Sequence, residues 1–463
     1  MLDQYVIVPY VAQAVVSRRT KECEPRELSH RLGMHLLRFL EPLVHELDVT
    51  VDKRPLRTLV QTVEAIVAFR DRNHGLLLSE LGDYMDGLGG GGGTKRLSTL
   101  IHHQGWKAQQ IEEFLLQQAD SQIEDWEAQG QDGLLIWDGT VLEKPESLSA
   151  EGLCAVRSSK ALRLTRVKKG YYHPPGKPIF VPGLHGIGLL LAGRSDQQGP
   201  TRLAALRWWT SRGPLASYEQ DENCKLLRLS SRRWGHRLIH VFDRGYCGSR
   251  WLGALRGFNT RFILRWKTNY HLLDAHGVKQ AAWKIARGKR GLAPRTIFDA
   301  VHRRNVEGSV LFFPVTHPDF PDWPLTLVVG RRKGGTPWYL LTNEVVETAA
   351  DAWKVVMAYA RRWQIEMTFR NLKSELAIQS LRVYDWEGRL KLLGMLTLAY
   401  AFLMDLMGEE GRTARDWLID YACHRSGAHL REVEIPFTRL RIALSKLWLT
   451  FPCGFVRRAA LRL

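Results

Sequence analysis

Two short apolar runs that each end on an aspartate constrain this chain more than any other feature. Leu134-Leu135-Ile136-Trp137 leads into Asp138-Gly139, and Leu238-Ile239-His240-Val241-Phe242 leads into Asp243-Arg244-Gly245-Tyr246. Further strand-like runs at residues 179–191, 203–209 and 262–266 alternate with loops and helical segments, which predicts a mixed α/β domain. In an open sheet the side chains at the carboxyl ends of strands converge on one crevice, so Asp138 and Asp243 are candidates for a shared site. Taken singly, either aspartate equally suits a turn or a cap.

The texture on either side differs. Residues 28–127 carry apolar positions at helical spacing (Leu32, Leu36, Leu40, Leu43; then Leu59, Val63, Ile66), which predicts a helical unit over residues 1–130. The five glycines at 89–93 predict a mobile loop inside it. Residues 296–342 read as strands separated by Pro- and Gly-rich turns, the core of a β-rich insertion over 271–345. Residues 349–376 read as one long helix, and a helical C-terminal region covers 386–463. The α/β unit is thus expected in two pieces, 131–270 and 346–385.

Charge narrows the partner. The chain of 463 residues has a formal net charge of +18, but residues 1–130 hold 14 basic and 19 acidic side chains, so the excess lies behind them. No acidic residue falls between Gly152 and Ser195, where Arg157, Lys160, Arg163, Arg166, Lys168, Lys169 and Lys177 accumulate, and none falls from Ile435 onward. Such clusters neutralise phosphates and release counterions, which makes nucleic acid the first partner to expect, ahead of an anionic membrane surface. The apolar run at 392–404 is short of a bilayer span, and Asp3 and Pro9 interrupt what would be a signal sequence. Six scattered cysteines, without a C-x-x-C pair, indicate neither a disulfide framework nor a zinc site. A cytoplasmic protein with no membrane partner is expected.

The third candidate carboxylate lies on the long helix. Tyr359, Arg362, Glu366, Arg370 and Lys373 recur at offsets that bring them to one helical stripe, with one carboxylate flanked by cations and a phenol. An ordinary i, i+4 salt-bridged surface would look the same. Three carboxylates converging from two strands and a helix suit Mg²⁺, which takes oxygen ligands and leaves positions for phosphate oxygens. Phosphoryl transfer needs chiefly positioning and charge neutralisation, which such a site and its neighbouring cations supply.

Tyr359-x2-Arg362-x3-Glu366-x6-Lys373 resembles the Tyr-Arg-Glu-Lys signature of bacterial cut-and-paste insertion-sequence transposases of the DDE class. Asp138-Gly139-Thr140 and Asp243-Arg244-Gly245-Tyr246 resemble that family's first and second catalytic motifs, and the likeness covers residues 131–385. The resemblance implies a ribonuclease H-like catalytic domain interrupted by a β-rich insertion, with Asp138, Asp243 and Glu366 binding two Mg²⁺ ions, for which Mn²⁺ can substitute. It implies that Tyr359, Arg362 and Lys373 hold the DNA backbone at the transposon end, with Arg370 on the same stripe and Arg244 in the second motif. Trp338 resembles the insertion tryptophan on which a flipped base stacks, Arg265 and Lys267 fall where the family has basic residues near the cleaved strand, and Trp363 stands where it could wedge the DNA end. The N-terminal unit would recognise the terminal inverted repeat and the C-terminal region would serve dimerisation or DNA contact.

The reading that follows is a DNA transposase that cleaves inverted-repeat ends and transfers a 3′-OH to target DNA through hairpin intermediates, working as a synaptic homodimer. A DNA-binding regulator that kept the fold without the chemistry is the alternative from another class. A stand-alone metal-dependent nuclease is a third.

Overall fold

The computed structural model describes residues 7–8, 24–68, 75–86, 91–147, 149–158, 178–195, 198–299, 304–408, 411–422 and 437–453. Asp3 and Pro9 and the basic cluster from Lys160 to Lys177 lie outside the described residues. After a two-residue strand, β1 (Ile7–Val8), come five helices: α1 (Pro25–Leu47), α2 (Lys53–Ala68), α3 (Leu78–Asp86), α4 (Gly91–His102) and α5 (Ala108–Ala128). Pro25 opens α1, where its missing N–H and fixed φ favour the first turn. Leu32, Leu36, Leu40 and Leu43 bury one stripe of α1, and Leu59, Val63 and Ile66 do the same for α2.

The expected glycine loop is not a loop over residues 91–93, which form the first turn of α4. Gly89 and Gly90 lie outside the described residues. The glycines serve close helix packing: a Cβ on Gly93 would stand 2.2 Å from the Gly82 carbonyl oxygen, and one on Gly82 would stand 2.4 Å from the Thr94 nitrogen. Two bare backbones therefore let α3 and α4 touch.

The next elements are β2 (Gly133–Glu143), β3 (Cys154–Arg157), β4 (Phe180–Gly193), β5 (Arg202–Trp209), α6 (Glu219–Trp234), β6 (Leu238–Phe242), α7 (Ser249–Gly257) and β7 (Phe262–Arg265). β4 runs antiparallel to β2 and carries β3 and β5 on its outer edge, while β6 and β7 extend the sheet parallel to β2. This mixed sheet with helices on both faces is the ribonuclease H-like arrangement the motifs imply. Leu134, Ile136, Leu184 and Leu190 enter one hydrophobic core, and Leu135, Trp137, Leu189 and Leu191 enter the other. Burial on both faces is why these strands read as nearly unbroken apolar runs.

The β-rich segment contains β8 (His271–Leu273), β9 (Lys279–Ala281), a short helix α8 (Ala282–Ala286), β10 (Leu292–Asp299), β11 (Arg304–His317), β12 (Phe320–Arg332) and β13 (Trp338–Thr342). It does not stand apart from the sheet built on β2 and β6. β13 pairs antiparallel with β7, so its strands continue one 13-stranded sheet.

The long helix expected at 349–376 is two helices, α9 (Ala349–Ala360) and α10 (Trp363–Ser374). Thr348 starts α9 by accepting the Asp351 N–H at 3.2 Å. At the junction Arg361 N–H bonds to the Ala358 carbonyl at 3.2 Å and Arg362 N–H to the Tyr359 carbonyl at 3.0 Å. These i to i−3 bonds overwind the chain locally and end the α-helical ladder. Tyr359 and Glu366 consequently sit on different helices, rather than on one stripe.

The chain closes with α11 (Trp386–Asp405), α12 (Arg412–Ala422) and α13 (Phe437–Thr450). α13 buries Leu440, Leu444, Leu447 and Trp448 within this chain, and its Ser445 hydroxyl donates to the Ala68 carbonyl at the end of α2. The N-terminal helices are also tied to the sheet. Glu112 on α5 accepts two hydrogen bonds from the Arg207 Nε and one from its Nη2, and Asp120 accepts from Arg233 and from the Trp234 indole at 2.7 Å.

Candidate active site

The site is built on the parallel pair β2 and β6. Their register sets Gly133 beside Leu238 and Ile136 beside Val241, and the same offset brings Asp138 level with Asp243. Each aspartate is steadied by backbone: Asp138 Oδ1 accepts the Gly139 N–H at 2.9 Å, and Asp243 Oδ1 accepts the Gly245 N–H at 2.6 Å as the cap of a short 3₁₀ turn, Arg244–Tyr246. A second layer lies behind them, where the Trp137 indole donates to His240 Nδ1 at 3.2 Å in the core.

Glu366 reaches this pair from α10, which lies against β2 and β4. Gly188, the partner of Asp138 on β4, makes that approach possible, because a Cβ there would stand 2.8 Å from the Phe369 ring. Sequence reasoning missed Gly188. Its signal was a glycine inside an apolar strand, which marks a place where something packs close to the backbone.

Arg362 joins the carboxylates. Its Nη1 donates to Asp138 Oδ2 at 3.3 Å and its Nη2 to Glu366 Oε1, with the three side chains 17%, 22% and 28% exposed. Burial pushes the Asp138 carboxyl up to about 7; Arg362 opposes the shift, and the neighbouring charges of Asp243 and Glu366 add to it. Burial also raises the Tyr359 phenol, against the pull of Arg362 and Arg265. The Tyr359 hydroxyl is buried, with Arg265 beside it. Lys373, half-buried, is lowered by burial, while the charges of Glu143 and Asp138 pull the other way.

The remaining sequence candidates fall in two places. Arg265 lies beside Leu340 on β13, two residues from Trp338, whose ring meets Tyr359 edge-on at 5.1 Å. Trp338 is only 7% exposed, so a base reaches its face only if that aromatic pair opens. Arg244, Arg265 and Lys267 line a cleft of about 270 Å³ together with Thr268, Asn269 and Thr336. Lys267 also stands 4.8 Å over the Tyr270 ring. Arg370 is exposed and Trp363 half-buried on α10.

The donor chemistry fits a divalent cation: Asp138 and Glu366 share one guanidinium, and Asp243 stands level with Asp138 on the neighbouring strand. The arrangement is open, however. Among the described residues no three His, Cys, Asp or Glu side chains stand close enough to hold a metal ion, and Arg362 occupies the space between Asp138 and Glu366.

Residues 222–402 match the family model described as a transposase DDE domain, a stretch that includes Asp243 and Glu366. A protein of Sinorhizobium fredii (strain NBRC 101917 / NGR234), named provisionally as the transposase y4zB, is 33% identical over 165 residues. That alignment covers 35% of this chain and 41% of the relative, so the chain spans about two fifths of the length of the relative it matches. A piggyBac transposase, solved by cryo-EM as a synaptic complex with hairpin DNA, aligns over 95% of this chain and 81% of its own at 12% identity. Its TM-score of 0.39 is too low to carry an argument. Residues 222–402 are thus similar to a transposase DDE domain.

Proposed function

We propose that the protein is a DNA transposase that cuts the inverted-repeat ends of its element and joins the freed 3′-OH to target DNA, through hairpin intermediates and within a synaptic homodimer. The observation that supports this reading is that Asp138 and Asp243 stand level on neighbouring parallel strands while Arg362 bridges Asp138 to Glu366 on α10, in a chain whose residues 222–402 match a transposase DDE domain.

In this reading Asp138, Asp243 and Glu366 hold two Mg²⁺ or Mn²⁺ ions, which supply charge neutralisation at the reacting phosphate and activate the attacking oxygen. Admitting them requires Arg362 to leave the gap between Asp138 and Glu366 and turn to a phosphate oxygen, an exchange of one anion for another. Tyr359, with its buried hydroxyl, and Lys373 orient the backbone beside it. Arg244, Arg265 and Lys267 take the neighbouring phosphates in the cleft, with Arg370 and Trp363 on the outer face of α10. Residues 1–130 would recognise the end, 131–270 with 346–385 would carry the chemistry, 271–345 would form the insertion, and 386–463 would serve pairing or DNA contact. The protein would act in the bacterial cytosol; among the described residues no helix is long and apolar enough to cross a membrane.

Purified protein incubated with Mg²⁺ and DNA bearing the terminal repeat, with Glu366→Gln beside it, is resolved on a denaturing gel. Nicks and hairpins at the repeat boundary, reduced at least about 100-fold in the variant, are expected. Tight binding without cleavage under Mg²⁺ or Mn²⁺ would instead establish the regulator reading, which the Arg362 bridge across the carboxylates favours.

A further inference from the structure

A second basic feature lies outside the carboxylate site. Between Asp274 and Asp299 the sequence holds six Lys or Arg and no acid. This segment folds as β9, α8, a tight turn and β10, and it exposes Trp283, Lys284, Arg287, Lys289 and Arg290. The turn is held in place. Arg331 on β12 donates to the Ala286 carbonyl at 2.8 Å and to the Lys289 carbonyl at 2.7 Å, satisfying the end of α8 and fixing the cations that follow.

The segment starts at the rim of the cleft. Trp283 N–H donates to the carbonyl of Thr268 at 3.1 Å, and Thr268 lines the cleft with Arg244, Arg265 and Lys267. Trp283 is 37% exposed, with Lys284 and Arg287 5.8 and 5.6 Å from its ring centre. An exposed aromatic ring among cations, continuous with a basic cleft, has the chemistry of a nucleic-acid surface.

Topology gives the surface a side. In the sheet order β4-β2-β6-β7-β13-β12, the carboxylates stand on β2 and β6, α10 with Lys373 packs over β2 and β4, and the basic segment is anchored by β12 beyond β13. We propose that the segment around Trp283, Arg287, Lys289 and Arg290 holds duplex DNA on the side of the scissile phosphate away from Lys373, that is, the flank leaving the cleft. This rests on the transposase reading above. Three strand spacings of about 4.8 Å separate β6 from β12, which is roughly 14 Å or about four base pairs of duplex. A flank shorter than that cannot reach the cations.

The test is equilibrium binding by fluorescence anisotropy in Ca²⁺, using duplexes that carry the terminal repeat and end at the cleavage position or continue for 2, 4, 8 or 12 base pairs. For the wild-type protein, affinity is expected to step up about tenfold between 2 and 8 base pairs of flank, with the slope of log K against log salt steeper by about 2 to 3 on the long duplex. The variant Arg287→Ser/Lys289→Ser/Arg290→Ser, with unchanged melting temperature, should lose that step and bind the blunt end as the wild type does. Trp283→Ala should lose part of the step. Absence of a flank-length step in the wild-type protein, or equal losses on blunt and flanked duplexes in the triple variant, overturns the proposal. Cleavage is not part of this readout, so failure of the flank surface and failure of the catalytic reading remain distinguishable.

Discussion

Asp138 is the residue on which the site's electrostatics turn. Its carboxyl is raised to about 7, so between about pH 4 and 7 the folded protein keeps a proton that the unfolded chain releases. Stability contributed by that proton is present at low pH and is lost as pH rises through 7. Asp138→Asn removes this loss: without divalent cations at pH 8 the variant should be more stable than the wild type by about 2–4 kcal/mol, a difference that disappears below pH 4. Thermal melts in EDTA across pH 4–8 read this directly, and Mg²⁺ should raise the melting temperature of the wild type while leaving the variant unmoved. That Asp138 lies on a strand and Asp243 directly follows one was legible in the sequence, because an apolar run ending on an aspartate is a local pattern. The Arg362 bridge was not, since it depends on where α10 lies across the sheet.

At the scale of elements, the break between α9 and α10 and the seat of α10 on the sheet decide where Glu366 points. Apolar periodicity runs on through residues 361–362 and so reads as one helix; the i to i−3 bonds that interrupt it leave no compositional mark. The glycines at 91–93 misled in the opposite sense, because a residue without a Cβ serves a close helix crossing as readily as a loop. Gly188 is the position where this packing bears on function. Gly188→Ala puts a methyl against the Phe369 ring, so α10 should lift, stability should fall by about 1–3 kcal/mol and end cleavage by about tenfold or more, with unchanged DNA affinity. Adding Phe369→Leu to make room should restore part of the rate, which a simple loss of folding would not permit.

Across the whole molecule, charge is arranged for docking as well as for DNA. The acidic excess of the N-terminal helices is partly consumed within the chain: Glu112, Glu113 and Asp120 pair with Arg207 and Arg233 of the α/β unit. Segment totals cannot reveal this, because partners far apart in sequence cancel only once the fold brings them together. Asp120→Ala leaves the Trp234 indole and part of Arg233 unsatisfied and should cost about 1–3 kcal/mol in urea unfolding, while sparing the chemistry at the carboxylates. The strand runs, the β-rich segment and the terminal helices were legible because each carries its own periodicity. The joining of the β-rich segment to the α/β sheet through β13 and β7 was not, since strand order is set by tertiary pairing.

The central claim is that Asp138, Asp243 and Glu366 together form one divalent-cation site. Replacing Mg²⁺ by Fe²⁺ and adding ascorbate and peroxide, with the terminal-repeat duplex bound, generates hydroxyl radicals wherever the ion sits, and mass spectrometry maps the resulting backbone cuts. Cuts clustered at residues 138, 243 and 366, suppressed together by excess Mg²⁺ and lost together in Asp243→Asn, are the predicted result. Cuts at only one of these positions, or cuts that Mg²⁺ does not suppress, would contradict a shared site.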